Sequence, residues 1–197
     1  MGWLINLLKF IIMADDCLEN FQHEEILNCP NDDLQAGLAE GEIYYMPADF
    51  IASMEMPTET TFEGSVTITE DIEPIVGKGF QKLRCQVDMN SLASALVGNP
   101  GNKKDQSTLT IFLPGFRAKL LGFKKQMKNI PATFIVKDRN GNQFLIGTTL
   151  IPARLDNFEL TTGQGNEDDN GGTATIISNS TVYAYTGNIT EQPTPTP

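Results

Sequence analysis

Along most of the chain after residue 43, apolar side chains alternate with polar ones, and the period lengthens only once. "IYYMPADFIASM" predicts a strand that bends at Pro47, since the residue before a proline is driven into extended backbone. In "FEGSVTITEDI" the residues Phe62, Val66 and Ile68 stand between polar neighbours, the period of two of a half-buried strand. "GKGFQKLRCQVDM" continues it through Phe80, Leu83, Cys85 and Val87, with its two glycines marking a turn or bulge at entry. Residues 90–106, "NSLASALVGNPGNKKDQ", read as a loop built around Gly-Asn-Pro-Gly-Asn, and "STLTIFLPG" predicts the next strand.

The period then changes. In "FRAKLLGFKKQMKN" the residues Phe116, Leu120, Phe123 and Met127 recur at helical spacing, and Arg117, Lys119, Lys124, Lys125 and Lys128 fill other positions. This predicts one amphipathic helix that begins after Pro114–Gly115, buries those four apolar residues and stops at Asn129–Ile130–Pro131. Two alternating runs follow in "ATFIVKDRNGNQFLIGTTLI", separated by "DRNGN", where Asn140–Gly141 is the dipeptide of a type I′ hairpin turn. A second hairpin is predicted from "ARLDNFELTTG" and "TATIISNSTVYAYTGNI". The pattern as a whole predicts a mainly β chain. It is a β-sandwich or open barrel of about seven or eight strands, with one flanking helix inserted before the last four.

At 197 residues the chain suits one domain of ordinary size with terminal extensions. Residues 13–189 are expected to form that domain. Residues 1–12, upstream of Met13, read as an extension preceding the true start. They are too short to span a bilayer and lack a cleavage-site pattern, and a short interfacial anchor is the competing reading. Residues 190–197, "TEQPTPTP", predict an extended, mobile tail. No membrane partner is expected.

Charge narrows the function classes. The formal net charge is −11, which argues against gripping nucleic acid, because phosphate binding needs a basic face. The basic stripe Lys119, Lys124, Lys125 and Lys128 is therefore read as a solvated face or as an interface to an acidic neighbour. The three cysteines, Cys17, Cys29 and Cys85, lack CxxC spacing and are expected to be reduced thiols. The sole histidine, His23, has no nucleophile beside it in sequence. The Gly-rich pieces "VGKGF" and "VGNPGNKK" match neither a Walker loop nor a dinucleotide fingerprint. No enzyme, no catalytic residue, no cofactor and no metal is expected.

One stretch stands apart. "TTGQGNEDDNGG", Thr161 to Gly172, has no large apolar side chain, yet it lies between two predicted strands. Asn166, Asp168 and Asn170–Gly171 imitate the start of an EF-hand loop. The twelfth position is Ile177 instead of a bidentate Glu, and no helices flank it. The alternative is an assembly loop carried by Thr162, Gly163, Asn166, Asp168, Asp169 and Asn170. A neighbouring subunit would order it, and it would be mobile in the free chain.

The order of motifs carries a resemblance. "DCLEN…NCP", "IYYMPADF", "VGKGFQKLRCQVD", "TIFLPGF…LGFKKQMKN", "ATFIVKDRNGNQFLIGT", "FELTTGQGNEDDNGGTATI" and "YAYTG" come in turn. Over residues 14–189 this resembles the tail tube (major tail) proteins and related virion structural proteins of tailed bacteriophages, of the type infecting Bacteroidetes. The resemblance implies a β-sandwich subunit with a flanking helix, six of which form a ring. Stacked rings form a tube through which DNA passes without specific binding. It implies a virion (tail) location after synthesis in the bacterial host cytoplasm, other tail proteins as partners, and no catalytic residues. Two alternatives stand beside it: a capsid decoration or head–tail joining protein, and a carbohydrate- or calcium-binding β-sandwich module.

Overall fold

The computed structural model describes residues 24–27, 34–39 and 43–193. The expected start at Met13, residues 1–12, Cys17, His23, Cys29 and the last residues of the Pro/Thr tail lie outside the described residues.

Twelve strands and one α-helix follow in chain order among the described residues. The first half holds β1 (Ile43–Pro47), β2 (Ile51–Ser53), β3 (Thr67–Ile68), β4 (Glu73–Pro74), β5 (Gln81–Leu83), β6 (Ser91–Val97) and β7 (Lys104–Pro114). The helix α1 (Ala118–Met127) separates these from β8 (Ala132–Lys137), β9 (Gln143–Ile146), β10 (Arg154–Thr161), β11 (Gly171–Ser178) and β12 (Tyr183–Tyr185). They form a six-stranded sheet in the order β3-β12-β9-β8-β1-β5, a four-stranded sheet in the order β10-β11-β7-β6, and a small β2-β4 pair. The chain is mainly β, a sandwich with one flanking helix.

Burial explains the layering. Strand β8 reads Ala-Thr-Phe-Ile-Val-Lys and is buried on both faces, as expected of a central strand covered on two sides. Phe134 and Val136 face the main core, together with Leu109, Ile111 and Leu113 of β7, Ala174 and Ile176 of β11, and Phe158 of β10. Ile135 points the other way, into a second core with Tyr44, Met46, Ile68, Phe80, Leu145 and Tyr185. The four-stranded sheet has one face in the core, and burial alternates along most of β7 and β11.

The helix closes one side of the sandwich. Leu120 and Met127 are buried, and Phe123 packs edge-on to Tyr45 of β1 at 5.5 Å and to Phe158 of β10 at 6.1 Å. One ring thus bridges the two sheets. The expected burial of Phe116 is corrected: it precedes α1 and is 41% exposed, because the helix starts only at Ala118 and the turn after Gly115 directs Phe116 outward.

Four other expectations are corrected. Residues 90–106 are not a loop, since Ser91–Val97 pairs with β7 from Ser91↔Thr110 to Val97↔Lys104. Only Thr67–Ile68 of the predicted "FEGSVTITEDI" strand is extended; Gly64–Val66 is a 3₁₀ turn and Phe62 is exposed. The hairpin at Asn140–Gly141 is not type I′, which needs positive φ at both central residues. Only Gly141 has it, at 91°. Asp138 organises the turn instead, accepting the N–H of Asn140 at 2.9 Å and of Asn142 at 2.7 Å. Finally, "TATIISNSTVYAYTGNI" is two strands in different sheets, so five strands follow the helix, not four. Seven strands have four or more residues, but β6 among them was read as a loop, while the short β3 and β5 lie within segments predicted as longer strands.

The chain stays engaged beyond residue 189. Phe80 donates its N–H to Thr190 O and accepts that of Gln192, each at 2.9 Å, and Lys82 pairs with Glu191 at 2.9 Å.

Candidate functional site

The loop Thr162–Asn170 closes the β10–β11 hairpin, and most of its structure comes from its own side chains. Asp168 accepts the N–H groups of Gln164 and Gly165 on one carboxylate oxygen, both at 2.7 Å. Those two donors, Gly165 first and then Gln164, hold its carboxyl below the usual carboxylate range. Gly163 has φ +73°, and an added Cβ would sit 2.9 Å from the Asp168 Cβ, so only glycine fits the turn without displacing the acid. Thr162 donates to the Gly163 carbonyl at 3.2 Å, while Asn166 and Asp169 stand exposed. With one Asp168 oxygen holding the turn, the carboxylate serves the backbone. No group of three or more Asp, Glu, His or Cys side chains able to hold a metal ion occurs among the described residues.

Asn170 does something different. Its backbone carbonyl accepts the Gly115 N–H at 2.8 Å, and its side-chain oxygen accepts the Phe116 N–H at 2.6 Å. These bonds tie the loop to the turn that feeds α1. The two candidate elements read separately from the sequence therefore meet at one corner of the molecule. Gly171 and Gly172, at the end of the same polar stretch, are not loop at all. Both are buried in β11, where a Cβ on Gly171 would lie 2.5 Å from Leu113 O and one on Gly172 2.5 Å from the Phe158 ring.

The helix presents its cations to solvent. Lys119, Lys124, Lys125 and Lys128 are all exposed, and none takes part in an ion pair with a described residue. Leu121, 44% exposed, sits three and four positions before Lys124 and Lys125, on the same side of the helix.

A third surface was missed at the sequence level. The outward face of the four-stranded sheet carries Thr108, Thr110 and Phe112 of β7, Thr173, Thr175 and Ile177 of β11, Ser91 and Ala93 of β6, and Asn157 of β10. Arg154, in the row of Thr108 and Ala93, and Glu159, in the row of Thr173, place charge along its β10 edge, and Lys104 lies at the β6–β7 turn. Both edges of this sheet, β6 and β10, pair on one side only among the described residues. "STLT" and "TATI" hold the signal, a threonine at alternate positions, which apolar counting passes over.

The remaining candidates are structural. Cys85 is a buried free thiol, and burial pushes its pKa up to about 12, which keeps it protonated and unreactive. No helix among the described residues is long and apolar enough to cross a membrane.

No protein-family model matches the chain, and no curated protein matches it. Among solved structures, a chain from the virion of a native gene transfer agent particle is similar at a TM-score of 0.37 and 11% identity. The similarity covers 53% of this chain and 88% of that one. A likeness this shallow assigns neither family nor role.

Proposed function

We propose that this chain is a virion structural subunit without a catalytic task, whose copies join edge to edge into rings that stack as a tail tube.

 The observation that carries this is the outward face of the four-stranded sheet, which across β6, β7 and β11 carries Thr, Ser and Ala with the apolar Phe112 and Ile177 and is bounded by two open edges. An open strand edge is a row of unpaired N–H and C=O groups that another chain can complete. Pairing β6 of one copy with β10 of the next would continue the sheet around a ring and turn to the bore a face whose charges, Lys104, Arg154 and Glu159, sit at its β10 edge and its β6–β7 end.

That lining suits DNA passage. A duplex carries about one negative charge per 1.7 Å of axis, so a bore studded with Lys and Arg would hold it at every ring. Hydroxyl and methyl groups offer phosphates no such grip, and the net charge of −11 keeps the remaining surface unattractive to DNA. The order of sequence motifs that resembles tail tube proteins supports the same reading, with six copies per ring and other tail proteins at its ends.

The test is electron microscopy of the purified full-length protein over a range of concentrations, with sedimentation alongside. Rings or tubes with an open bore are expected, with no retention of duplex DNA at physiological salt. A chain that stays monomeric at every concentration would overturn the proposal. Closed trimers or other bore-less assemblies would favour the capsid-decoration alternative.

A further inference from the structure

We infer that the basic face of α1 docks into the acidic groove beside β3 of a second copy of this chain. This rests on the ring-forming reading and names one of its contacts.

Charge is segregated along the sequence to an unusual degree. From Asp49 to Gly77 there are seven carboxylates and no cation; from Gln106 to Lys137 there are six cations and no carboxylate. Folding does not bring the two sets together. Lys119, Lys124, Lys125 and Lys128 make no ion pair with any described residue. The acidic segment forms a groove of about 480 Å³, into which Glu55, Glu59, Glu63 and Glu70 contribute, with Met56 and Pro57 in its wall. All four glutamates are exposed and none of them takes part in an ion pair with a described residue.

The two surfaces match in more than sign. On the helix, exposed Leu121 is flanked by Lys124 and Lys125. In the groove, half-exposed Met56 lies among the glutamates. An apolar centre within a charged rim, on both sides, lets lysine stems cover apolar surface while their ammonium groups reach carboxylates.

They cannot meet within one molecule. The groove adjoins β3, at the outer edge of the six-stranded sheet, whereas α1 packs through Phe123 on β1, four strands away. At about 4.8 Å per strand that separation is roughly 19 Å, beyond the reach of a lysine. Two different patches that complement each other make a heterologous contact, and such contacts generate rings when the rotation closes and filaments when it does not. A second copy is therefore the occupant the charges select.

The experiment measures self-association of the full chain by sedimentation velocity, with a thermal melt as the folding control. Lys124→Glu with Lys125→Glu should weaken association at least tenfold, and Glu59→Lys with Glu63→Lys should do the same. The chain carrying all four reversals should recover it. Raising salt to 1 M, where the screening length falls to about 3 Å, should weaken the unaltered protein. Should a reversed chain melt early, Lys124→Gln with Lys125→Gln takes its place, with a smaller loss expected. Assembly of the unaltered protein that is indifferent to every one of these changes overturns the docking inference and leaves the ring reading standing. Failure of the unaltered protein to associate at all overturns both.

Discussion

Asn170 accepts the Phe116 N–H on its side-chain oxygen at 2.6 Å, joining the end of the β10–β11 loop to the start of the helical segment 54 residues earlier. The Asn170 carbonyl adds the Gly115 N–H at 2.8 Å. No side chain caps α1 at Arg117, and its entry turn is held by Asn170 together with the Arg117 guanidinium, which donates to the Pro114 carbonyl at 2.9 Å. Asn170→Ala should cost about 0.5–1.5 kcal/mol, the net worth of an ordinary hydrogen bond. Asn170→Asp, which keeps the acceptor, should cost less. Urea denaturation of the two variants checks this, and an Ala variant as stable as the parent would dismiss the tether.

The ring of Phe123 touches both sheets, whereas that of Phe116 lies outside the core. Phe123→Ala should therefore destabilise by about 3 kcal/mol, the lower end of the range for a large aromatic, because Phe123 is only partly buried. Phe116→Ala should stay within about 0.5 kcal/mol, as surface changes usually do. Thermal melts that reverse this order would mean that the helix is seated one turn differently.

How much of this was legible follows from what alternation can report. Strands β7, β10 and β11 have one face in the core and one out, so their core residues, such as Leu109, Ile111 and Leu113, mark alternate positions, interrupted in β10 by the bulge between Leu155 and Asn157. Strand β8 was also found, although Ile135 and Phe134 serve two different cores, because its turn with β9 is flagged by Asn140–Gly141. Strand β6 was missed because its sequence, Ser-Leu-Ala-Ser-Ala-Leu-Val, has small residues at an edge where only Leu92 packs on the core; Leu96 is 66% exposed. Its partner across the hairpin, not its own composition, makes it a strand. For the candidate site, the loop and the lysine stripe were each visible as pieces. The bond between Asn170 and Phe116 was not, since nothing local in either segment refers to the other.

Asp168 supplies a pH-dependent prediction. The Gly165 and Gln164 N–H groups hold its folded pKa below the ordinary 3.8. A depressed folded value means that the carboxylate's contribution is present above the unfolded pKa and lost as pH falls through the folded one. The turn should therefore be intact at pH 5 to 8 and open only in acid below about 3.8. An NMR titration following the Gln164 and Gly165 amides reads it directly. A midpoint at or above the ordinary value would show that these bonds do not favour the charged form.

The loop itself yields the last prediction, and the structure changes where the cut must fall. Replacing Gln164–Gly171 with a Gly-Ser turn would remove Asn170, which holds the helix entry, and Gly171, which sits in β11 where a Cβ would lie 2.5 Å from Leu113 O. Such a chain would lose stability for reasons unrelated to assembly. Replacing only Gln164–Asp169 leaves both in place and removes the Asp168 turn, whose side chain is open to solvent. Ordering a backbone residue costs about 1–2 kcal/mol, so loss of a loop that buries little should leave monomer stability nearly unchanged. If the loop's exposed residues, Asn166 and Asp169 among them, meet a neighbouring subunit, the shortened chain should fold, melt normally and fail to form rings or tubes. Normal tubes from it would remove the loop from the assembly face and leave the sheet edges and the helix to carry the contacts. Calcium-dependent melting of the intact chain, abolished by Asp168→Ala, would instead assign the loop to an ion.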